Sequence, residues 1–288
     1  MDLTEFADDI GSEQPVSIAG LGTRGGPVDG VHTVMAPVGV ESVQADEMTV
    51  RCGAGTPVDE LDAALAAFGQ SVAIAPSGTV GGALAMGQSG IRRLGYGPIR
   101  DTLLLARYVN ARGEIVKAGG PTVKNVSGFD LCRLLVGSRG TLGFIGEVIL
   151  RTRPRSTYEQ WFTTSADPLE VFPNLYRPTS VLWDGATTWV LLEGHRADVL
   201  AQAAEFGLAP GDPPALPNGG RWSLPPRELP GLIGSGRFVA EIGVGIVHHE
   251  HRPPERPVDS AVSLLHSRLK AEFDPTGRLN PGVDVLAG

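Results

Sequence analysis

Residues Pro76–Gly90, PSGTVGGALAMGQSG, interrupt a well-patterned chain with a run of small side chains. Glycine permits positive φ angles and lets another group approach the backbone closely. Bare backbone N–H groups in a turn are suited to binding the oxygens of a diphosphate. This stretch therefore predicts a backbone-lined site for a phosphorylated ligand.

Two more glycine-rich patches follow in order. They are KNVSGFD at Lys124–Asp130 and GSRGTLGFIGE at Gly137–Glu147. One patch alone is weak evidence for a ligand, whereas three ordered patches with interleaved polar residues are strong evidence. At these residues the chain resembles the FAD-binding subunit of glycolate oxidases, in the superfamily that includes vanillyl-alcohol oxidase and D-lactate dehydrogenase. The resemblance implies that the cofactor is FAD.

Composition narrows the class of protein. The chain has 288 residues, with 39 glycines, 23 prolines and 42% hydrophobic residues, which suits one or two folded domains rich in turns. No apolar run reaches the roughly 18 residues of a membrane span, and the acidic N-terminus lacks the pattern of a secretion signal. Cys52 and Cys132 are predicted to be buried, reduced thiols. The expected location is the cytoplasm, with partner subunits providing any peripheral attachment to the inner membrane.

The net charge of −8 is unevenly distributed along the chain. Residues 88–155 contain twelve Lys or Arg and four acids, whereas the rest of the chain has sixteen more acids than bases. A basic block within an acidic chain indicates a site for a small anion, because a nucleic-acid-binding protein is normally basic over a whole face. The alternative for any single arginine is a solvated position at a sheet edge or helix end.

Strand and helix patterns in the first half predict an α+β fold. Strands are predicted at 15–20, 48–55 and 143–154, with a further pair within 102–120, and helices at 56–69 and 131–138. The first helix has Thr56 as its predicted N-cap. Helical spacing predicts that it buries Val58, Leu61, Leu65 and Phe68. A Rossmann fold is not predicted, because the Gly-x-Gly-x-x-Gly fingerprint does not follow an early strand.

After Arg155 the predicted order of elements is β-α-β-β-α-β, which is typical of a ferredoxin-like unit. Its strands are 158–164, 179–183, 188–193 and 238–247, and its helices are 168–175 and 197–206. The predicted domains are an FAD-binding domain at residues 1–155, a short cap or substrate domain at 156–257, and a C-terminal return to the FAD-binding domain at 258–288. With the resemblance, this implies a two-subdomain FAD-binding domain of the PCMH type with a ferredoxin-like cap inserted before the return.

The C-terminal segment is predicted to be a helix followed by a turn. Within Val262–Gly282 the predicted core residues are Leu264, Leu265 and Leu269. The end of this segment, FDPTGRLNPG, resembles the closing motif of the same superfamily, where the chain returns beside the flavin. The resemblance covers two stretches, residues 15–153 and 262–282.

The resemblance assigns FAD-binding roles to the glycine-rich loops and the C-terminal return. The first pyrophosphate loop contains Gly20, Gly22, Thr23 and Arg24. The second contains Pro76, Gly78, Thr79, Val80, Gly81 and Gly82, whose amides are implied to cradle the diphosphate. The residues implied to lie near the isoalloxazine ring are Gly87, Ser89, Gly90, Asn125, Ser127, Gly128, Phe129, Asp130 and Asn280. Adenine and ribose are implied to bind the backbone of residues 143–147, which include Gly143, Ile145 and Glu147. Each glycine alone also fits a tight turn without a ligand.

Two departures from the superfamily pattern limit what the resemblance implies. Members with covalent FAD use a histidine in the first loop or a cysteine in the second. Here the first loop has Thr23 and Arg24, and the second has no cysteine, so FAD is expected to be non-covalent. Related D-lactate dehydrogenases carry a histidine-rich metal site in a longer cap. The short cap here predicts no metal and puts independent catalysis in doubt.

Histidines cluster at the end of the last predicted cap strand, at His248, His249 and His251. If that strand is continuous, its apolar side chains alternate with a polar face that includes Glu241, His249 and His251. His249 and His251 are candidate bases for the hydroxyl proton of a substrate, because the pKa of imidazole lies near working pH. The alternatives are a solvated loop and a metal site formed by Glu241, His249 and His251.

Arg92 and Arg93 are the candidates for holding a substrate carboxylate, because a guanidinium group pairs bidentately with that anion. An anionic substrate needs a cation, and the basic block supplies this adjacent pair. Together with the candidate histidines, they form the predicted catalytic set.

Two classes of function are compatible with these observations. The first is an FAD-dependent oxidoreductase, a dehydrogenase or oxidase subunit that oxidises a small 2-hydroxy acid such as glycolate or lactate by hydride transfer to flavin. The second is a non-catalytic, flavin-carrying accessory subunit of a multi-subunit glycolate oxidase. The resemblance implies that the partners are a larger flavoprotein subunit and an iron–sulfur subunit. This chain has no cysteine cluster for an iron–sulfur centre, so its electrons are expected to leave through a partner, a quinone or oxygen. The peptidoglycan-precursor enolpyruvyl reductase shares the FAD domain, but the FDPTGRLNPG return is not expected there.

Overall fold

The computed structural model describes residues 1–120, 130–254 and 257–286, and these form two compact units. The first unit comprises Met1–Gly90, Pro98–Arg155 and Pro257–Ala287, and the second comprises Ile91–Gly97 and Ser156–Arg256, apart from the residues not described. The second unit thus includes the short segment with Arg92 and Arg93, which precedes the predicted cap by about 60 positions.

Eight α-helices lie within the described residues. They are α1 (Thr4–Ile10), α2 (Val58–Ala66), α3 (Val80–Met86), α4 (Arg93–Tyr96), α5 (Leu131–Leu135), α6 (Pro168–Val171), α7 (Arg196–Glu205) and α8 (Ser260–Phe273). Short 3₁₀ helices cover Ile99–Asp101, Phe172–Asn174 and Pro226–Leu232.

The described residues also form fifteen strands. They are β1 (Val16–Ala19), β2 (His32–Met35), β3 (Val40–Gln44), β4 (Thr49–Gly53), β5 (Gln70–Val72), β6 (Leu103–Val109), β7 (Ile115–Gly119), β8 (Phe144–Pro154), β9 (Tyr158–Thr164), β10 (Ser180–Trp183), β11 (Thr188–Gly194), β12 (Ala209–Pro210), β13 (Gly220–Ser223), β14 (Phe238–Glu241) and β15 (Ile246–His249).

The first unit is built around an antiparallel sheet with the order β3-β4-β8-β6-β7, and β5 also pairs with β8. Strand β8 lies at the centre because residues 144–150, FIGEVIL, are buried on both faces, as a nearly continuous apolar run predicts. A separate parallel pair, β1 and β2, begins the unit. The strand predictions in this half are confirmed, whereas α1, β2, β3, β5 and α3 were not predicted.

Helix α2 shows where local reasoning works and where it fails. Val58, Leu61 and Leu65 are buried as predicted, but Phe68 lies beyond the end of the helix and is 51% exposed. Thr56 is not an N-cap. Its hydroxyl instead hydrogen-bonds the backbone of Gly39, accepting from the amide and donating to the carbonyl.

The second unit contains the predicted ferredoxin-like order, but its fourth strand is a different segment. The antiparallel sheet runs β12-β9-β11-β10-β14-β15-β13. The β-α-β-β-α-β set therefore closes with the two-residue strand β12, which pairs with β9. The stretch predicted as that last strand, residues 238–247, extends the opposite edge of the sheet.

That same stretch is a hairpin rather than one strand. Residues 242–245 turn the chain, so that β14 and β15 pair antiparallel with Glu241 opposite Ile246. Gly243 and Gly245 have φ angles of 78° and 80°, which residues with side chains rarely adopt. The prediction of a continuous strand was wrong because these glycines allow a reversal that strand alternation does not reveal.

Helix α8 returns the chain to the first unit without burying an apolar face. The structure describes this helix in full and none of its residues is buried; Leu264 and Leu265 are 53% and 57% exposed. The prediction that these leucines belong to the core was wrong. The tail after α8 is held by its backbone, because Val16 N donates to Arg278 O and Asn280 N donates to Val16 O.

Candidate functional site

The loop after β1 and the start of α3 line a cavity of about 250 Å³ in the first unit. Seven of the residues predicted to bind FAD line it: Gly20, Gly22, Thr23, Arg24, Thr79, Gly82 and Asn280. Four distant stretches of the sequence therefore meet at one cavity, as the ordered glycine-rich patches predicted.

A smaller cavity of about 70 Å³ adjoins the first and shares Gly20, Thr79 and Gly82 with it. Its other lining residues with predicted FAD roles are Gly81, Gly143 and Ile145. The predicted diphosphate loops and part of the predicted adenine segment therefore border the same continuous surface.

Missing side chains create much of the space in the larger cavity. Gly22 has a φ of 70°, and a Cβ atom at Gly22 or Gly26 would meet no other atom within 4 Å. A Cβ at Gly20 would lie 3.1 Å from Thr79 Oγ1. This thin wall lets an elongated, phosphorylated molecule approach the backbone, so the residues present fit FAD.

The second loop differs from its predicted role in one respect. The amides of Val80, Gly81 and Gly82 donate to Thr56 O at 2.9 Å, Ala54 O at 2.6 Å and Thr79 Oγ1 at 3.1 Å. Thr79 is the N-cap of α3. Since these three amides have partners within the protein, they are not the donors that cradle the diphosphate, and Gly81 and Gly82 contribute space instead. For the amides of Gly78 and Thr79 the diphosphate contact stays a prediction.

Two arginines supply positive charge to the larger cavity. Arg24 Nη1 donates to Ser77 O at 2.7 Å and so joins the two loops, and Arg139 Nη1 donates to Asp284 O at 2.9 Å. Burial lowers the pKa of Arg24, but a guanidinium keeps its charge in proteins. Arg139 was not among the predicted FAD-binding residues, although the GSRG patch at 137–140 pointed to its neighbourhood.

Asn280 ties the C-terminal return to the cavity wall. Its Oδ1 accepts from Ser17 Oγ at 2.9 Å and from Ile18 N at 3.1 Å, while its Nδ2 donates to Arg139 O at 2.7 Å. These three bonds use the amide as both acceptor and donor, a combination that neither aspartate nor leucine reproduces. The described contacts of Asn280 therefore hold β1 beside the segment that carries Arg139.

Several residues with predicted ring contacts have local structural roles. Gly87 ends α3 with a φ of 63°, Ser89 Oγ accepts from Ile99 N at 3.0 Å, and Gly90 packs on Ala75. Asp130 caps α5 by accepting from Arg133 N. None of these lines either described cavity.

The remaining described residues of the second loop, Pro76, Gly78 and Val80, do not line the cavities. Val80 is fully buried in the core. Gly78 packs so closely on Thr23 and Arg24 that a Cβ atom there would collide with both. Pro76 borders neither described cavity. Asn125, Ser127, Gly128 and Phe129 lie outside the described residues.

Glu147 belongs to a buried ionic cluster that occupies its side chain, and the predicted contact of its backbone with adenine or ribose stays a prediction. The side chain is fully buried, and its carboxylate pairs with Arg51 at 2.9 Å and Arg107 at 3.5 Å. It lines neither described cavity. A buried carboxylate needs such partners because removing it from water is costly.

The two arginines of the predicted carboxylate clamp have different surroundings. Arg92 Nη1 lies 2.6 Å from Glu193 and 2.8 Å from Glu159, so its charge is already neutralised and the clamp prediction fails for it. Arg93 forms no ion pair with any described residue and is partly buried. Of the two, Arg93 stays a prediction for substrate binding.

The hairpin overturns the prediction that His249 is a general base. The His249 side chain is fully buried and stacks on Trp222 with ring centroids 3.9 Å apart. Its Nδ1 accepts from His251 N at 3.0 Å, and its Nε2 lies 3.1 Å from Ser235 Oγ. Burial, with the nearby His251, lowers the pKa of His249. With both ring nitrogens bonded, this histidine stabilises the fold.

The other readings of the histidine cluster also change. His251 lies beyond β15, is 66% exposed, and its ring is 3.5 Å from Glu250; its role as a base stays a prediction. Glu241 and His249 project from opposite faces of the hairpin, since Glu241 is two residues from Val239, the partner of His248. They therefore do not converge on a metal ion.

Both cysteines are buried thiols. Burial raises the pKa of Cys52 to about 12 and that of Cys132 to about 11, and neither lines a described cavity. Each is held as an unreactive thiol, because the thiolate is the nucleophilic form.

The chain is similar to an FAD-binding family and to several curated oxidoreductases. A family model described as an FAD binding domain matches residues 12–119. The glycolate oxidase subunit GlcE of Escherichia coli (strain K12) is 34% identical, over 95% of this chain and 93% of that protein. The D-lactate dehydrogenase of Archaeoglobus fulgidus is 38% identical over 47% of this chain and 32% of its own length. Glycolate oxidase subunit GlcD of Bacillus subtilis (strain 168) is 43% identical over 27% of this chain and 16% of its own.

Solved structures share the fold across nearly the whole chain. Two crystal forms of alkyldihydroxyacetonephosphate synthase match with TM-scores of 0.68 and 0.70 at 15% identity. They cover 97% and 98% of this chain, and 72% and 73% of their own. At that identity, the likeness concerns the fold alone.

Proposed function

Because this chain belongs to the family of the FAD-binding glycolate oxidase subunit GlcE, we propose that it is an oxidoreductase subunit that oxidises a small 2-hydroxy acid such as glycolate or lactate. The chain is an α+β protein with an FAD-binding domain of the PCMH type, and its cofactor is FAD. The observation that carries the proposal is the relative's match over 95% of the chain, together with the cavity where the predicted loops meet.

The residues that would hold FAD are those of the two adjoining cavities. The thin wall of Gly20, Gly22 and Gly82 leaves room for the diphosphate, and Arg24 and Arg139 offset its negative charge. The apolar side chain of Ile145 lines the smaller cavity. When bound, FAD supplies an acceptor for a hydride and its two electrons.

We expect the partners to be a larger flavoprotein subunit and an iron–sulfur subunit. The relative GlcE is named as a subunit of glycolate oxidase, as is GlcD, which supports assembly into a complex. Among the described helices, none is long and apolar enough to cross a membrane. We propose a cytoplasmic location, with contact to the inner membrane made through partner subunits.

Acid precipitation of the purified protein should release all of its FAD into the supernatant. The expectation rests on the chemistry of the two cavities, whose lining includes no cysteine or histidine among the described residues. Flavin absorbance is measured in supernatant and pellet, with a heat-denatured sample as the control for trapping. Colour that remains with the washed pellet would show a covalent bond.

The FAD-loaded protein should lose its visible flavin absorbance under anaerobic conditions when the correct 2-hydroxy acid is added. The matched control is the corresponding carboxylic acid without the hydroxyl group, acetate against glycolate and propionate against lactate. The assay is run on the chain alone and with its partner subunits. Bleaching only in the complex would assign this chain a partner-dependent role. No bleaching in either case would overturn 2-hydroxy-acid oxidation and leave a flavin-carrying accessory subunit.

A further inference from the structure

One face of the second unit's sheet gathers three polar residues of complementary chemistry. Arg221 lies opposite His248, and His248 lies opposite Val239, so the three side chains share a face. Glu241 follows Val239 by two residues and therefore projects from that face as well. The hairpin brings these residues together from positions up to 27 residues apart in the sequence.

Buried polar atoms on this face have no partner among the described residues. They are Arg221 Nη2, Glu241 Oε2 and Ser180 Oγ. Ser180 precedes Leu182 by two residues, and Leu182 lies opposite Glu241, so Ser180 shares the face. Glu241 and Ser180 are 2% and 1% exposed. Folded proteins rarely leave such groups unsatisfied, because each costs stability, and this convergence points to a ligand.

The charges on this face favour an anion that also carries a hydrogen-bond donor. Burial lowers the pKa of Arg221, the nearby Glu241 raises it, and Arg93 lowers it. Helix α4, which carries Arg93, lies beside Ser180, because Gly95 N donates to Thr179 O at 3.1 Å. Arg221 forms no ion pair with any described carboxylate. An anion bound near both guanidinium groups would be stabilised by their positive charge.

Glu241 defines the second requirement of the ligand. Its Oε1 lies 2.8 Å from His248 Nε2, so the imidazole satisfies one oxygen and orients the carboxylate. The other oxygen, Oε2, is buried and accepts no hydrogen bond from any residue in the described part of the chain. A simple carboxylate would bring a negative charge to this oxygen and offer it nothing, whereas a neighbouring hydroxyl group would donate to it.

We propose that this face binds a small 2-hydroxy carboxylate, with the carboxylate on Arg221 and Arg93 and the hydroxyl donating to Glu241 Oε2. His248 is a positioning residue that holds Glu241, and Ser180 Oγ offers a further hydrogen bond. The proposal rests on the proposed function for its choice of substrate class, and it places recognition at residues other than His249 and Arg92.

The test measures equilibrium binding of glycolate and acetate to the full FAD-loaded chain by isothermal titration calorimetry, in parent and variant proteins. We expect the parent to bind glycolate more tightly than acetate. Arg221→Gln should weaken both ligands by about 10- to 100-fold, the range of a lost charge-assisted hydrogen bond. Glu241→Gln should lower the ratio of glycolate to acetate affinity, since it replaces an acceptor by a donor. Arg237→Gln, an exposed arginine next to β14, should bind both as the parent does.

The melting temperature of the Arg221→Gln variant distinguishes a ligand-binding role of Arg221 from a structural one. If the residue serves the ligand, the Arg221→Gln variant should unfold at the parent's melting temperature or above it, because the substitution removes a partly buried guanidinium whose Nη2 has no partner among the described residues. A lower melting temperature with unchanged glycolate affinity would overturn the proposal, as would a parent that binds neither acid or a Glu241→Gln variant with the parent's affinity ratio. If glycolate binds to the parent and variants as expected here but does not bleach the flavin, the proposed oxidation is overturned and the proposed binding site is supported. If glycolate bleaches the flavin but the Arg221→Gln variant binds glycolate as tightly as the parent, the proposed binding site is overturned and the proposed oxidation is supported.

Discussion

Replacing Gly82 with valine should abolish FAD binding while the protein still folds. Gly82 lines both cavities, and its absent side chain leaves the wall open. A Cβ atom there lies 3.0 Å from Thr79 Oγ1, which crowds the N-cap of α3 at a cost of about 1 kcal/mol. That cost is small beside a folding stability of about 5–15 kcal/mol, whereas the valine methyl groups occupy space that the cofactor needs. The measurement is the ratio of flavin to protein after purification and after incubation with excess FAD.

Gly82→Ala and Gly231→Val are the matched variants. Alanine adds one methyl group, which crowds the N-cap of α3, but its helix propensity is better than that of glycine by about 1 kcal/mol. These two effects on stability offset each other, so a change in FAD binding by Gly82→Ala reports the loss of space in the cavity. Gly231 has open space around its missing Cβ and lies in the second unit, so its valine variant should bind FAD normally. Stoichiometric FAD in Gly82→Val would show that the cofactor does not approach this wall. Gly81 does not suit the test, because its Cβ would lie 2.9 Å from Ala54 O and disturb folding.

Replacing Glu147 with alanine should destabilise the first unit by about 3–5 kcal/mol, the usual cost of breaking a buried ion pair from one side. The variant leaves Arg51 and Arg107 without the carboxylate that they share at the centre of the sheet. The melting temperature should fall by about 6–20 °C, since about 1 kcal/mol corresponds to roughly 2–4 °C in a large domain. Thermal unfolding followed by circular dichroism measures the change.

Glu47→Ala is the control for this prediction, because Glu47 is exposed between β3 and β4 and its removal should leave the melting temperature unchanged. Glu147→Gln separates stability from cofactor binding. Below its unfolding temperature this variant should still bind FAD, since Glu147 lines neither described cavity. A Glu147→Gln protein with the parent's stability and no FAD would support the nucleotide contact that the family resemblance implied.

The glycine-rich loops were predictable because their requirement is local. A cofactor that approaches a backbone needs small residues at that position, and the glycines within residues 20–26 and 76–82 are visible in the sequence. The same applies to α2 and β8, where the spacing of apolar residues sets which side is buried. The residue types and their spacing therefore located the glycine-rich cavity walls and several of the strands beside them, whereas the class of cofactor followed from the family resemblance.

The identity of the polar residues at each site depended on tertiary contacts. Arg92 and Arg93 are adjacent in sequence, yet Arg92 meets Glu159 and Glu193, partners that lie 67 and 101 positions away. Glu147 likewise pairs with Arg51, which is 96 positions distant. No local pattern encodes such pairings, because they arise from strand order and register.

The hairpin between β14 and β15 gives the sharpest example. Side chains alternate along a strand, so the sequence determined that His248 and His249 face opposite ways. Which of them joins Glu241 depended on where the chain reverses, and the four-residue turn at 242–245 places His248 on the face of Glu241 and buries His249 against Trp222. The sequence by itself determined the glycine-lined cofactor site and the supply of arginines and histidines. Only the tertiary structure decided which of these charged groups are neutralised and which remain for a ligand, because that choice follows from register and from partners distant in the chain.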